Sequence, residues 1–452
     1  MNILIIYPTI GNTIAFNHGV GSISAILKEG GHNTKLIIPQ TENYNEIKKE
    51  IKEYKPEIIL LSFCSNYWSY IKYISKRIKN EFDIPIFAGG PHTTLFPECI
   101  YQSKHIDGIC IGEGEMAIKE LINKIKKGGD YIKTKNFWFR KGEKIIKNEL
   151  RPLIENLDIL PIPDRSIFSK KIILKYPNFN FSRGCPYSCS YCCNNKLNEL
   201  YKGKIKIIRF KSVKKALEEI NQVVKEYNLP ELIFDDDSFT KDPEWLLEFC
   251  KRYRERFTLS FSCNTRPELF NEEIAQTLKN AGCKRICIGI ESGDEEFRKK
   301  YLNRYMSNKK IIEAFNIAKK YKIKATSFNM IGMPFETEKS FKKTIELNKL
   351  LQPEEMQLSI YYPYIGTELG DLCFKNGLIT KRKSNDYMYD SILDLPEFPR
   401  KKVIRYAKIF HYLVYKDKNI KKAIYYLIRK QLLFSVFYKY YNLMMNKIRL
   451  KF

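Results

Sequence analysis

The chain has 452 residues, 44% of them hydrophobic, and a formal net charge of +27. That length fits two or three domains, and the hydrophobic content excludes a disordered chain. The positive balance suggests an anionic partner, whether nucleic acid, a membrane face or a phosphorylated substrate, without choosing among them. Met1 leads directly into Asn-Ile-Leu-Ile-Ile-Tyr7, which reads as a first core strand and not as a basic-headed leader. No apolar run reaches the roughly 18 residues that span a bilayer. A cytoplasmic protein is expected, in which the twelve cysteines are free thiols or metal ligands and not a disulfide framework.

The first 150 residues alternate short apolar strands with helices. Strands are predicted at 2–7, 34–38, 57–63, 84–88 and 106–111, and helices at 21–29, 45–54, 68–82 and from Met116 onward. Such alternation implies a doubly wound parallel sheet of the Rossmann-like kind. Its ligand crevice lies beyond the carboxyl ends of the strands. Ser62, Gly89, Gly90, Gly112 and Glu113 fall at or near those ends, and His18 is placed in the loop after the first strand.

Residues 151–175 read as a linker, because Pro152, Pro161 and Pro163 interrupt helices. A second alternation follows over 176–375. Strands are predicted at 178–182, 231–235, 258–264, 285–290, 324–329 and 355–360, with helices at 213–226, 243–254, 272–281, 309–320 and 338–350. Six such strands suggest a partial (β/α)6 barrel of the triose-isomerase type, whose active residues gather at the strand C-termini. Residues 376–452 form a basic, helical C-terminal region. Within 401–452 there are 14 Lys and Arg against one acidic residue, Asp417. Leu427, Leu433, Phe434, Phe437 and Tyr441 recur there at roughly helical spacing. That region fits a helix packed on the barrel, a peripheral contact with a membrane surface or, least well, a nucleic-acid patch, since no RNA-binding module is recognisable.

Cys185, Cys189 and Cys192 stand at the spacing C-x3-C-x2-C, just after the strand that opens the barrel. Three thiolates leave one iron of a four-iron cubane open, which suits substrate or cofactor chelation better than electron transfer. A structural zinc site would want four ligands. Cys193 could supply one, but its adjacency to Cys192 makes joint ligation of one metal strained.

This motif resembles that of the radical S-adenosylmethionine (SAM) superfamily, including the aromatic Tyr191 before the third cysteine. The resemblance covers residues 175–370. It implies a [4Fe–4S] cluster whose free iron chelates SAM and whose electron splits it to a 5′-deoxyadenosyl radical. Tyr191 would lie beside the adenine. Asp236 and Asp237, in Phe234-Asp-Asp-Asp-Ser-Phe239, would face the methionine ammonium. Arg266, ending Asn264-Thr-Arg266, would meet the SAM carboxylate, and Glu291 and Ser292, in Gly289-Ile-Glu-Ser-Gly293, the ribose. Asn329 ends the fifth strand, before Met-Ile-Gly-Met-Pro334.

The N-terminal half resembles the cobalamin-binding domain that often precedes this barrel, with its D-x-H-x2-G, S-x-L and G-G pattern. His18-x-x-Gly21, Ser62-Phe-Cys64 and Gly89-Gly90 carry the likeness, followed by Gly112-Glu113. Small residues there would open the slot for the cofactor's nucleotide tail. Phe16 occupies the Asp position and Cys64 the Leu position, which weakens His18 as an axial cobalt ligand.

The resemblance as a whole implies cobalamin-dependent methyl transfer to an unactivated carbon. Its rivals are radical cyclisation, rearrangement or oxidation without methylation, and a metal-stabilised nucleic-acid-binding protein. It further implies a small-molecule substrate, with a lipid-like one fitting the aromatic, basic tail, and an electron donor such as flavodoxin or ferredoxin.

Overall fold

The computed structural model describes residues 1–10, 14–202, 208–380 and 389–434, the side chains of 431–434 excepted. It divides into two compact units, one of residues 1–263 with 364–371, the other of 264–363 with 372–452.

The first unit opens with strands β1 (Asn2–Ile6), β2 (Asn33–Ile37), β3 (Ile58–Ser62), β4 (Ile86–Gly89) and β5 (Gly108–Cys110). Helices α1 (His18–Glu29), α2 (Tyr44–Tyr54), α3 (Trp68–Glu81), α4 (Pro91–Leu95) and α5 (Glu115–Lys126) alternate with them. The strands are parallel, in the order β2-β1-β3-β4-β5. Ile3 to Ile6 and Ile58 to Leu61 are all buried, as strands covered by helices on both faces must be. In this order the chain reverses direction across the sheet between β1 and β3, which opens a crevice there.

Two differences from the sequence reading bear on the site. The first helix begins at His18, capped by the Asn17 side chain, which accepts from Val20 N. His18 is therefore fixed on a helical first turn and does not ride on a loop. The sheet also gains an antiparallel hairpin, β6 (Phe137–Lys141) and β7 (Lys144–Lys147), paired beside β5. β6 alternates, with Phe137 and Phe139 buried, whereas β7 is exposed or half-buried throughout.

The linker holds a short helix, α6 (Lys170–Lys175). The expected strand at 178–182 is divided into β8 (Asn178–Phe179) and β9 (Ser182–Arg183). The divider is Asp236, whose carboxylate accepts from Phe181 N at 3.1 Å and from the Ser182 hydroxyl. After β9 come the cysteine loop, helix α7 (Cys193–Leu200) and β10 (Arg209–Phe210), which pairs antiparallel with β9. Then follow α8 (Val213–Glu226), β11 (Leu232–Phe234), α9 (Pro243–Arg256) and β12 (Phe261–Thr265). β8, β11 and β12 pair in parallel. Their helix-facing side is aromatic. Phe234 lies 4.7 Å from Phe261 and 5.4 Å from Phe249, which stacks on Trp245 at 4.9 Å. Each such ring contributes on the order of 2 kcal/mol by burial, and together they fix the base from which the cysteine loop projects.

The second unit contains α10 (Glu272–Ala281), β13 (Cys283–Glu291), α11 (Glu295–Leu302), α12 (Asn308–Lys320), β14 (Lys324–Ile331), α13 (Glu338–Leu351) and β15 (Glu355–Ile360). Its strands pair in parallel as β13-β14-β15. After α14 (Glu368–Lys375), the C-terminal region forms α15 (Arg400–Tyr415) and α16 (Ile420–Phe434). Leu427 is half-buried on α16. The side chains of Leu433 and Phe434, and all of Phe437 and Tyr441, lie outside the described residues. No helix among the described residues is long and apolar enough to cross a membrane.

Candidate functional site

A cavity of about 500 Å³ lies at the carboxyl ends of β3, β4 and β5, lined entirely by residues of the first unit. His18, Ser62, Gly89, Gly90, Gly112 and Glu113 all reach its surface. Two glycines are required there by geometry. Gly90 has φ +96, and a Cβ on it would sit 3.1 Å from Phe63 N. Gly112 has φ +79, and a Cβ on it would overlap the Tyr201 hydroxyl. Side chains at either position would be strained and would fill the slot.

His18 presents an imidazole with neither ring nitrogen hydrogen-bonded within the described residues. Burial first, then the charges of Arg165, Lys211 and Arg183, push its pKa well below the ordinary value. It is a neutral base on the cavity wall. Phe16, at the position where a carboxylate would orient the ring, packs edge-on against it at 5.0 Å. Behind Phe16 the buried guanidinium of Arg165 stacks at 4.1 Å from the ring centroid. The first position of the motif thus holds an apolar ring backed by a cation, where a carboxylate would strengthen the donor.

Gly184 and Cys193, which flank the cysteine triad, line the same cavity. Cys189 is buried, Cys185 and Cys192 are half-buried and Cys193 is exposed, all as free thiols. Gly184 turns the chain with φ +85, and its carbonyl accepts from Lys241 Nζ at 2.8 Å. The Cys185 carbonyl accepts from the Asn198 amide at 2.9 Å, and the Ser190 carbonyl from Leu369 N at 2.9 Å. Among the described residues no three His, Cys, Asp or Glu side chains converge as for a single ion. A cubane places each thiolate on a different iron, so wider-set ligands are what it needs. The chemistry of the donor set, three thiols on one braced loop, fits a cluster. Cys193 opens α7 and lines the cavity with Asp237, which accepts from the Asn194 amide at 3.0 Å. Asp236 is spent on the β8–β9 junction; burial raises its pKa to about 6 despite the Ser182 hydrogen bond.

Sequence reasoning did not find the ionic joint that closes this cavity. Glu113 accepts from Arg183 and Arg209, both at 2.9 Å, and from Ile154 N at 2.8 Å. Arg183 also meets Glu115 at 2.5 Å. Burial would raise the Glu115 carboxyl, but Arg183 holds it below its ordinary value. The two acids follow β5 and the two arginines sit on β9 and β10. The only signal in the sequence was Arg183 preceding Gly184-Cys185. Leu197 of α7 and Tyr201 just after it complete the wall, and nothing in their spacing marked them.

In the second unit, Arg266 is nearly buried and pairs with Glu268 at 2.8 Å. Glu291 takes a left-handed φ of +67 at a register shift in β13 and lies 3.9 Å from Arg304. Gly289 leaves room for it, since a Cβ there would come within 2.6 Å of the Glu291 carboxylate. Ser292 is buried, its hydroxyl accepting from Asp294 N at 3.2 Å and its carbonyl from Arg298 at 2.5 Å. The Asn329 amide bonds Ser327, Gln357 and Asn348 at 2.8–3.2 Å. Tyr191 is half-buried in the cysteine loop of the first unit.

Two family models match the chain. That of the radical SAM superfamily covers residues 179–347 and that of the B12 binding domain residues 12–122. An uncharacterized methyltransferase of Pyrococcus horikoshii is 28% identical over 409 residues, 87% of this chain and 87% of that protein. The anaerobic magnesium-protoporphyrin IX monomethyl ester cyclase of Rubrivivax gelatinosus is 25% identical over 404 residues, 82% of this chain and 70% of that protein. The fold matches the radical SAM methyltransferase TsrM of Kitasatospora setae, solved with cobalamin and a [4Fe–4S] cluster bound. The TM-score is 0.69 at 14% identity, over 84% of this chain and 76% of that one. The first domain implies a [4Fe–4S] cluster and SAM, and the second cobalamin. The parallel core strands, the braced cysteine triad and the glycine-lined crevice thus belong to one kind of molecule: the chain is a radical SAM enzyme with a B12-binding domain ahead of its radical SAM domain.

Proposed function

We propose that this enzyme transfers a methyl group to an unactivated carbon of a small molecule. The observation that supports the reading is the shared cavity: residues at the strand ends of the B12-binding domain and residues beside the cysteine loop line the same space. When bound, the cluster supplies the electron that splits SAM, and cobalamin carries the methyl group.

The chain's own residues supply placement. Cys185, Cys189 and Cys192 would hold three irons and leave the fourth open to SAM. Tyr191, Asp237, Arg266, Glu291 and Ser292 are proposed to take SAM, with Asp236 and Asn329 acting through the backbone they hold. His18, Ser62, Gly89, Gly90 and Gly112 are proposed to meet cobalamin, and Glu113 to fix the loop beside it. The proposed limits are 1–150 for the cobalamin domain, 151–175 for the linker, 176–375 for the barrel and 376–452 for the basic region. The twelve free thiols favour a reducing compartment such as the cytoplasm. A lipid-like substrate would suit the aromatic, basic C-terminal region, and a flavodoxin or ferredoxin would supply electrons.

The test is anaerobic reconstitution with iron, sulfide and hydroxocobalamin, followed by SAM turnover under reductant. Methyl transfer yields S-adenosylhomocysteine together with 5′-deoxyadenosine. The cyclase-named relative motivates a second reading, radical chemistry without methylation, which yields 5′-deoxyadenosine alone. If neither product forms and no iron is retained, both readings are wrong. Cys185→Ala, Cys189→Ala and Cys192→Ala should each abolish the cluster's visible absorbance, whereas Cys193→Ala should keep it.

A further inference from the structure

Helix α16 is anchored by one face and bare on the other. Its inner face places Ala423 fully buried against α15, stacks Tyr426 on His411 at 4.7 Å, and sends Lys422 to the Glu354 carbonyl at 2.8 Å. These contacts fix the helix's rotation. The outer face then carries Ile420, Ile424 and Ile428, spaced four residues apart, with Tyr425 beside them. They are 51%, 46%, 56% and 57% exposed. Side chains at that spacing stack into one stripe. A stripe of large apolar residues on a surface marks an interaction site.

The charges around it choose the occupant. Lys416, Lys418, Lys421 and Arg429 are exposed on or just before the helix. The single acid of this region, Asp417, is paired with Lys349 at 3.3 Å. In sequence, residues 435–452 add four basic residues and no acidic one. A protein partner's groove would accept the isoleucines, and a nucleic acid would accept the lysines. An apolar stripe edged by cations, on a helix whose axis is held along the protein surface, fits the interface of an anionic lipid bilayer.

We propose that α16 docks this enzyme on anionic membrane surfaces, with Ile420, Ile424 and Ile428 entering the headgroup boundary and the flanking Lys and Arg meeting lipid phosphates. The proposal does not depend on the reaction catalysed. The test is sedimentation of the full, cluster-loaded chain with vesicles of phosphatidylglycerol and phosphatidylcholine, against vesicles of phosphatidylcholine alone. Binding to the anionic vesicles should exceed that to the neutral ones at least tenfold. The double variant Ile424→Glu, Ile428→Glu should lose it at least tenfold, and Lys421→Glu, Arg429→Glu should lose it and its salt dependence. These positions are exposed, so an unchanged melting temperature serves as the folding control. Wild-type protein that stays in the supernatant overturns the proposal. So does binding that charge reversal abolishes but the isoleucine variant leaves intact, because that describes a polyanion patch without insertion. Concentration-dependent dimerisation that the isoleucine variant removes, without vesicle binding, assigns the stripe to a second copy of the chain and also overturns it.

Discussion

Glu336 keeps a proton that an exposed glutamate would lose. It follows β14, is fully buried, and accepts from Gly332 N at 2.7 Å and Met333 N at 3.3 Å. Its other oxygen has no partner among the described residues. Burial raises its pKa to about 8 despite those two donors. The folded value lies above the unfolded one, so the stability it brings is complete below the ordinary value of 4.5 and is lost as pH rises to about 8. A glutamine can accept the same two N–H bonds without titrating. Glu336→Gln should therefore gain on wild type as pH rises from 5 to 8, by on the order of 1–4 kcal/mol. Anaerobic urea unfolding at the two pH values measures it, and a difference that does not change with pH would show the carboxyl is ionised in the fold. His18 supports a second expectation. With Phe16 and the Arg165 cation behind it instead of a carboxylate, its nitrogen is a poor axial donor. The cobalt(II) form of bound cobalamin should show no axial nitrogen splitting in its electron paramagnetic resonance spectrum. His18→Ala should leave that spectrum unchanged while loosening the cofactor. A nitrogen triplet lost in the variant would instead make His18 the ligand.

Between elements, the joint of Glu113 and Glu115 with Arg183 and Arg209 ties the loop after β5 to the ribbon that leads into Cys185. Glu115 is 4% exposed. Arg183→Met removes its hydrogen-bonded counter-ion and leaves only the more distant Arg209, which costs up to about 3–5 kcal/mol for a buried pair broken on one side. Adding Glu115→Gln should recover part of that loss, and the non-additivity of the double-mutant cycle measures the coupling. Additive effects would reduce the joint to two independent contacts. None of this was legible in the sequence, because pairing across 68 residues leaves no periodic trace. What was legible had local causes. The helix at 213–226 was placed correctly because Ser212 caps it, accepting from Lys215 N, and that at 272–281 because Asn271 and Gly282, with φ +99, close its two ends. The β6–β7 hairpin escaped because β7 is two lysines around two half-buried isoleucines, which reads as a charged loop. The split of β8 from β9 escaped because it is made by Asp236, far along the chain. The positions of Ser62, Gly89, Gly90 and Gly112 were readable because strand ends in a parallel sheet converge on one edge, whereas α7 as the facing wall depends on how the cysteine loop folds back.

At the scale of the whole molecule, the cavity gathers residues from both matched domains, and the chain's net charge of +27 gives it a positive field. Such a field accelerates encounter with acidic proteins and retards encounter with cations. A reductant is required for radical SAM chemistry, and an acidic flavodoxin or ferredoxin would be steered toward this surface. Screening shortens the reach of exposed charges to about 10 Å at 0.1 M salt. The bimolecular rate of cluster reduction by an acidic flavodoxin should therefore fall about tenfold between low and physiological ionic strength. Reduction by a viologen radical cation should rise over the same range, because salt relieves its repulsion. Stopped-flow measurement of the cluster's absorbance under anaerobic conditions separates the two. Equal salt dependence for both reductants would mean that the positive charge lies away from the route by which electrons enter, leaving the basic surface to the membrane contact of α16 alone.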